Sequence, residues 1–159
     1  MKFRRIRKSD IKEIRSLALK SWLFTYKNIY KNKTIKRKVN DYYSDKNLQK
    51  TFSFIEKGKA EFIVVTESDK LIGYAHVGND KNRWEVMRIY VNPKLLRRGI
   101  GSELILRIEK FLKKKRAKSY IIHPHIKNKI AINFYNKAGF LREPKLDRGW
   151  NSPCFKKYL

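Results

Sequence analysis

Two glycines that follow a basic turn give residues 91–102 the composition of a site for a phosphate-bearing ligand. The segment leaves a predicted strand and enters a predicted helix, whose first turn has unpaired N–H groups and a partial positive charge. Gly99 and Gly101 let a ligand approach the backbone, so the turn can bind a pyrophosphate. Its spacing is neither that of the ATP-binding phosphate loop nor that of the dinucleotide fingerprint. The alternative is a tight strand-to-helix turn that binds nothing.

A second segment, residues 128–140, predicts an amphipathic helix that ends at Gly139. It carries Tyr135, whose phenol can donate a proton to a reacting group. The alternative for Tyr135 is a place in the hydrophobic core.

The three histidines, His76, His123 and His125, are candidate bases or metal ligands. Scattered histidines and the single cysteine, Cys154, do not have the spacing of a zinc site, so we expect no bound metal. We expect structural roles for the histidines and a buried, apolar setting for Cys154.

Hydrophobic periodicity predicts one domain, residues 1–159, with the elements that position these side chains. Helices are predicted at residues 11–26, in two pieces within 34–57, at 100–112 and at 128–137. Strands are predicted at residues 3–7, 61–66, 71–77, 84–91, 119–122, 140–142 and 153–159. The second and third strands form a hairpin, a polar turn at 79–82 follows, and the strand at 119–122 is expected to be parallel to its neighbour. Asp10 and Glu13 have capping-box spacing ahead of the first helix.

The composition is strongly basic: 40 of the 159 residues are Lys or Arg and 14 are Asp or Glu, which gives a net charge of +26. A hydrophobic content of 42% excludes wholesale disorder. The sequence shows neither a bilayer-spanning apolar run nor a signal peptide, so we expect a cytoplasmic protein without a membrane span, as a monomer or a homodimer. The charge favours association with nucleic acid or ribosomes, and a solvated surface without a function is the alternative.

In their order and separation, the two segments resemble the GNAT superfamily of N-acetyltransferases. The resemblance extends from residues 3–7 to the closing residues 155–159. It implies a mixed α/β fold, with a mostly antiparallel central sheet of six to seven strands flanked by about four helices. It also implies transfer of an acetyl group from acetyl-CoA to a primary amine.

By this resemblance, residues 91–101 form the acetyl-CoA motif. The implied cofactor-binding residues lie on the preceding strand, in the turn and in the second segment: Ile89, Tyr90, Val91, Arg97, Arg98, Gly99, Ile100, Gly101, Ser102, Asn128 and Tyr135. A bulge in the strand is expected to turn its backbone groups toward the cofactor. Leu96 stands where the family has Gln or Arg, and Arg97 where it often has Gly, so we expect Arg97 or Arg98 to supply the missing side-chain contact.

The resemblance implies that Tyr135 protonates the departing thiolate and that Glu85 acts as a base through water. A backbone N–H at Ile89 or Tyr90 is the expected oxyanion donor. For Glu85, the alternatives are an exposed strand carboxylate and an ion pair with Arg88.

The family's first helices shape the acceptor side, which implies substrate-binding roles for Trp22, Tyr26 and Glu85, beside further aromatic residues, Tyr30, Tyr42 and Tyr43. Residues 85–91 are similar to the spermidine/spermine type, so the first expected acceptor is a polyamine or another small amine. A local acidic pocket from Asp41, Asp45 or Glu85 would attract it against the surface charge. Alternatives are a protein N-terminus or lysine, a catalytically inert nucleic-acid-binding module, and, for the aromatic residues, core packing.

Overall fold

The computed structural model describes residues 1–80 and 82–159, which form a seven-stranded sheet with helices on both faces. The strands are β1 (Lys2–Arg5), β2 (Ala60–Glu67), β3 (Lys70–Asp80), β4 (Arg83–Val91), β5 (Ser119–Ile122), β6 (Leu141–Arg142) and β7 (Phe155–Tyr158). Their order across the sheet is β1-β2-β3-β4-β5-β7-β6. Neighbouring strands are antiparallel except β4 and β5, which are parallel as the sequence predicts.

Five α-helices lie within the described residues: α1 (Ile11–Tyr26), α2 (Asn32–Tyr42), α3 (Asp45–Glu56), α4 (Ile100–Lys114) and α5 (Lys129–Lys137). The predicted mixed α/β fold is confirmed, with five helices where the family resemblance implies about four. The two pieces predicted within residues 34–57 are confirmed as α2 and α3: the Ser44 hydroxyl accepts a bond from the Asn47 N–H at 3.4 Å and so starts α3 directly after α2. None of these helices is long and apolar enough to cross a membrane.

The predicted capping box at Asp10 and Glu13 is wrong. The Asp10 carboxylate accepts hydrogen bonds from the Arg4 guanidinium and from the Arg7 backbone N–H, each at 2.7 Å. Glu13 Oε2 accepts a bond from the Leu71 backbone N–H at 2.9 Å. Both carboxylates therefore tie α1 to neighbouring strands, because partners brought near by the fold replace the local ones.

The predicted hairpin of β2 and β3 is confirmed. Ser68 and Asp69 at its turn have φ values of 47° and 57°, which suit a tight two-residue hairpin loop. Lys81, in the polar turn predicted between β3 and β4, lies outside the described residues.

Each face of the sheet carries its own hydrophobic core. The α4 core lies on the side of α4 and α5 and includes Leu104, Ile108, Leu112, Tyr120 and Phe140. The α1 core lies on the side of α1, α2 and α3 and includes Ile14, Ile35, Leu48, Phe62 and Tyr74. Along β4, Val86, Ile89 and Val91 pack with the α4 core, whereas Tyr90 packs with the α1 core.

The β4 strand extends beyond the end of its parallel neighbour, β5. The two strands pair at Glu85 and Ile121, and β5 ends one residue later. Beyond this pair, no strand in the described part of the chain covers the β5-facing edge of β4. On the other edge, Met87 is an extra residue in the ladder with β3, so the bulge expected in this strand is present.

Candidate active site

One wall of the site is the edge of β4 from Met87 to Val91. Its backbone groups on the side of β5 have no ladder partner, so they can pair with an extended ligand as one strand pairs with another. The hydroxyl of Ser21 lies 3.5 Å from the Val91 carbonyl oxygen, so α1 packs over this end of the strand. Ile89 and Tyr90 lie along this edge, between Met87 and Val91.

The N-terminus of α4 has the geometry of an anion site. Gly99 precedes the helix with a left-handed φ of 76°, and the described structure has no side-chain cap there. The first-turn N–H groups of Ile100, Gly101 and Ser102 are therefore left for a ligand. A Cβ placed at Gly99 would meet no atom within 4 Å, so the space beside this turn is open. These features fit a pyrophosphate.

The turn before Gly99 departs from the family pattern in its side chains. Arg97 has a φ of 65°, a conformation that favours glycine, which is what the family often has there. Leu96 is 38% exposed. Arg98 donates to both carboxylate oxygens of Glu67, at 3.0 and 3.2 Å, so its guanidinium braces the turn against β2. Of the two arginines expected to replace the Leu96 contact, Arg97 is therefore the freer candidate.

Gly101 has a different function from Gly99. A Cβ at Gly101 would lie 3.2 Å from Phe134 Cζ, closer than a side chain packs without displacing its neighbour. Gly101 thus lets α5 approach the start of α4. Tyr135 follows Phe134 in α5, so this close packing also sets the position of the phenol.

Three tyrosines from three elements meet beside the unpaired edge of β4. Tyr135 of α5 is 5% exposed, and burial, with a smaller effect of Tyr26, raises the pKa of its phenol above the ordinary value. Burial also raises the pKa of Tyr90, with Tyr26 and Tyr135 among the neighbours that add to the rise. Burial raises the pKa of Tyr26, and the nearby Asn128 offsets part of this. The structure thus brings together four residues that the sequence singled out.

Aromatic side chains lie next to these tyrosines, on the side where the family resemblance implies the acceptor. We call them the aromatic wall: Trp22, Tyr26, Tyr30, Tyr42 and His125, with successive ring centroids 4.9 to 6.1 Å apart. Ring faces of this kind attract cations. The ammonium of Lys38 already lies 5.5 Å from the Tyr30 ring centroid.

The other residues expected on the acceptor side have different surroundings. Tyr43 is buried, and its hydroxyl lies 2.6 Å from that of Tyr74, within the α1 core. The Asp45 side chain is 83% exposed and pairs with Arg15 at 2.6 Å, and Asp41 is also exposed. Of the three acidic residues named for a local pocket, Glu85 is the one that is buried.

Glu85 carries the most connected carboxylate of the site. Its alternatives, an exposed carboxylate and an ion pair with Arg88, are both wrong: it is 8% exposed, and Arg148 donates to its two oxygens at 2.9 and 2.6 Å. His123 Nδ1 lies 3.0 Å from Oε1. Burial alone would raise the pKa of Glu85, but the bonds from His123 and Arg148 outweigh it, so the pKa lies below its ordinary value.

The histidines and the cysteine are packed into the structure. His76 stacks on Phe62 with centroids 5.1 Å apart, and burial lowers its pKa to about 3, so the ring is neutral. Cys154 is buried, as predicted, and burial raises the pKa of its thiol to about 11. Within residues 1–80 and 82–159, no three His, Cys, Asp or Glu side chains are grouped to hold a metal ion.

The free strand edge, the uncapped helix and the buried phenol have the features expected of a site for an acyl donor that carries a pyrophosphate. The sequence model of the acetyltransferase (GNAT) family matches residues 17–140. The chain belongs to the GNAT acetyltransferase family. It is an enzyme, an acyltransferase that uses acetyl-CoA as its co-substrate.

Individual GNAT proteins resemble the chain over nearly its whole length. It is 30% identical to a spermidine N(1)-acetyltransferase of Thermoplasma acidophilum over 142 residues, which cover 85% of this chain and 86% of the relative. Its fold matches a crystal structure of PaiA N-acetyltransferase from Thermoplasma acidophilum in complex with coenzyme A, with a TM-score of 0.92, 26% identity and 99% and 98% of the two chains covered. A GNAT acetyltransferase from Staphylococcus aureus shares the fold, with a TM-score of 0.79 and 14% identity over 99% and 98% of the chains.

Sequence reasoning missed the partners of Glu85. Arg148 is 63 positions away in a loop, and no local motif links it to β4. His123 is a candidate base or metal ligand by residue type, yet it contacts Glu85 and the Leu146 carbonyl oxygen, at 3.0 and 2.9 Å. The only available signal was the basic residue beside Gly149, which is too common a pattern to single out a site.

Proposed function

We propose that this N-acetyltransferase acetylates a primary amine of a polyamine or of another small amine. The observation that carries the proposal is the buried Glu85 carboxylate on the side of the sheet that bears the aromatic wall. Val86 packs with the α4 core, and successive strand side chains alternate, so Glu85 faces the α1 side. An aromatic surface with a carboxylate suits an acceptor with more than one ammonium group. The spermidine-acetylating relative supports the same acceptor class.

The co-substrate is bound mainly by backbone groups in this proposal. The first-turn N–H groups of α4 hold the pyrophosphate, and the free edge of β4 at Ile89, Tyr90 and Val91 pairs with the amide groups of the pantetheine arm. Asn128 already caps α5, where its Oδ1 accepts a bond from the Ala131 N–H at 3.1 Å, and it contacts the cofactor from that position.

In the acyl transfer, the neutral amine nitrogen attacks the thioester carbonyl carbon, and the C–S bond then breaks. A backbone N–H at Ile89 or Tyr90 stabilises the oxyanion, a contact worth roughly 3 kcal/mol. Tyr135 gives its proton to the departing thiolate and regains one from solvent. With ordinary pKa values this transfer is uphill by about 2 kcal/mol. Burial raises the pKa of Tyr135 and makes full transfer costlier, so its strong hydrogen bond to sulfur carries part of the effect.

Glu85 serves as a cation-binding group in this proposal. Its lowered pKa keeps the carboxylate charged at neutral pH and at the same time weakens it as a base. A charged, buried carboxylate attracts the acceptor's ammonium, whereas the net charge of +26 repels a polycation at long range. The attacking amine loses its proton to water near this carboxylate.

The test is a thiol-release screen with acetyl-CoA and four acceptor classes: polyamines, amino acids, aminoglycosides and peptides that present a free N-terminus or lysine. We expect saturable turnover with spermidine or a related polyamine, and a product that carries one acetyl group by mass spectrometry. We also expect acetyl-CoA at 100 times its Kd to stabilise the fold by about 2.7 kcal/mol. Turnover confined to peptides would replace the polyamine proposal with protein acetylation.

A further inference from the structure

The Glu85 carboxylate already holds a cation that belongs to the chain itself. Arg148 makes a two-pronged contact, with Nη1 to Oε1 at 2.9 Å and Nη2 to Oε2 at 2.6 Å. The Glu85 side chain is 10% exposed. A guanidinium in this geometry gives a carboxylate two strong, charge-assisted bonds. An ammonium that approaches Glu85 therefore finds both carboxylate oxygens already bound by Arg148.

This contact lies at the end of the pairing between β4 and β5. Glu85 pairs with Ile121, the last pair before β4 runs on alone, and His123 follows the end of β5. Two residues further, His125 belongs to the aromatic wall, through contacts with Tyr26 and Tyr30. The short segment from His123 to His125 therefore contacts Glu85 at one end and belongs to the aromatic wall at the other.

The loop that carries Arg148 is anchored, but the arginine side chain is not enclosed. Leu146 O accepts a bond from the His123 ring at 2.9 Å, and Asn151 O accepts one from the Ile126 N–H at 2.9 Å. By contrast, the Arg148 side chain is 60% exposed. It can leave Glu85 by rotation about its own bonds while the loop backbone keeps its contacts.

We propose that Arg148 is an internal cation that the acceptor's second ammonium group must displace from Glu85, which makes Arg148 a specificity-determining residue. The proposal rests on the amine acetylation proposed above. A monoamine gives its single nitrogen to the thioester and leaves the Glu85–Arg148 pair intact. A polyamine has a further ammonium, which exchanges with the guanidinium. The competition lowers polyamine affinity by the fraction of molecules in which Glu85 is free.

The experiment compares wild type with Arg148→Gln, Arg148→Lys and the matched control Lys145→Gln, which removes the same charge from an exposed side chain of the same loop. For each variant, KM and kcat are measured with spermidine and with n-butylamine, and spermidine binding to the coenzyme A complex is measured by calorimetry. For Arg148→Gln we expect about fivefold lower KM and Kd for spermidine, with n-butylamine unchanged. We expect Arg148→Lys to fall between wild type and Arg148→Gln, because lysine keeps the charge but loses the two-pronged contact. Lys145→Gln should match wild type.

The outcomes separate this proposal from the proposed function. An unchanged or higher spermidine Kd in Arg148→Gln, an equal gain in Lys145→Gln, or an equal KM change for n-butylamine would each overturn the role of Arg148. Absence of spermidine binding in every variant would overturn it as well. If wild type binds spermidine and Arg148→Gln binds it more tightly, yet no polyamine is acetylated, the polyamine acetylation fails and the competition at Glu85 stands. Thermal melting of each variant confirms that it is folded.

Discussion

The two halves of the site are built from different parts of the chain. In the proposed function, the half for acetyl-CoA uses backbone groups, at the free edge of β4 and at the uncapped start of α4. The proposed half for the acceptor uses side chains from distant segments, the aromatic wall and the Glu85 carboxylate with Arg148 and His123. Backbone amides do not depend on residue type, so we expect the first half to tolerate Leu96 and Arg97 in place of the family pattern. The second half depends on the identity of each residue.

Tyr135 stands where the two halves meet, and its loss is expected to have the largest effect. In Tyr135→Phe, kcat should fall about 100-fold, because the departing thiolate loses its proton donor. The KM for acetyl-CoA should stay within about twofold, because backbone groups still bind the co-substrate. Steady-state kinetics check both values, with Tyr158→Phe as a control, since Tyr158 is 63% exposed. Wild-type turnover in Tyr135→Phe would remove the phenol from the mechanism.

Glu85→Gln tests the half that depends on side chains. The KM for spermidine should rise about tenfold, because a charge-assisted bond to the ammonium is replaced by a neutral one. The KM for acetyl-CoA should not change. Asp45→Asn is the control, because the sequence also names Asp45 for an acidic pocket, but its side chain is exposed and pairs with Arg15. An equal rise in both KM values would mean that the halves are not separable in this way.

Arg97→Gly and Gly99→Ala test the half built from backbone. Gly99 has a φ of 76°, so an alanine there should cost roughly 1–2 kcal/mol of unfolding free energy. Arg97 has a φ of 65°, so a glycine there should be stabilising by about 0.5 kcal/mol, after its greater freedom in the unfolded chain is subtracted. Urea unfolding measures both.

Arg97→Gly also tests whether the Arg97 side chain takes part in cofactor binding. For Arg97→Gly we expect the KM for acetyl-CoA to change by less than about threefold, the range of one exposed ionic contact. A larger loss would show that the Arg97 side chain, rather than its backbone, binds the pyrophosphate.

The pH dependence of stability should give the smallest effect. The pKa of Glu85 is below its ordinary value of 4.5 in the folded protein, so the unfolded state binds more protons. The stabilisation by its ion pairs is therefore present above pH 4.5 and is lost as the pH falls through the lower, folded-state pKa. Urea unfolding at several pH values between 5 and 3 should show a steeper loss in wild type than in Glu85→Gln. Equal slopes would contradict the stabilising role of this carboxylate.

Sequence patterns predicted the elements well because their causes are local. The ends of α1 and the β2–β3 hairpin follow from periodicity and turn residues near each other in the chain. The capping box failed because Asp10 and Glu13 found partners on β1 and β3, which no local pattern reveals. The distinct functions of Gly99 and Gly101 also needed the structure, since one relieves a left-handed φ and the other admits Phe134.

The sequence by itself determined the fold class and the family, because hydrophobic periodicity, turn residues and the order of two short segments encode them. Tertiary structure alone decided the setting of Glu85: which side of the sheet it faces, how deeply it is buried and which side chains hold it. The physical reason is that electrostatic partners are chosen by distance in space, and Arg148 and Glu85 come within 2.6 Å only after the sheet has brought β4 and the loop before β7 together.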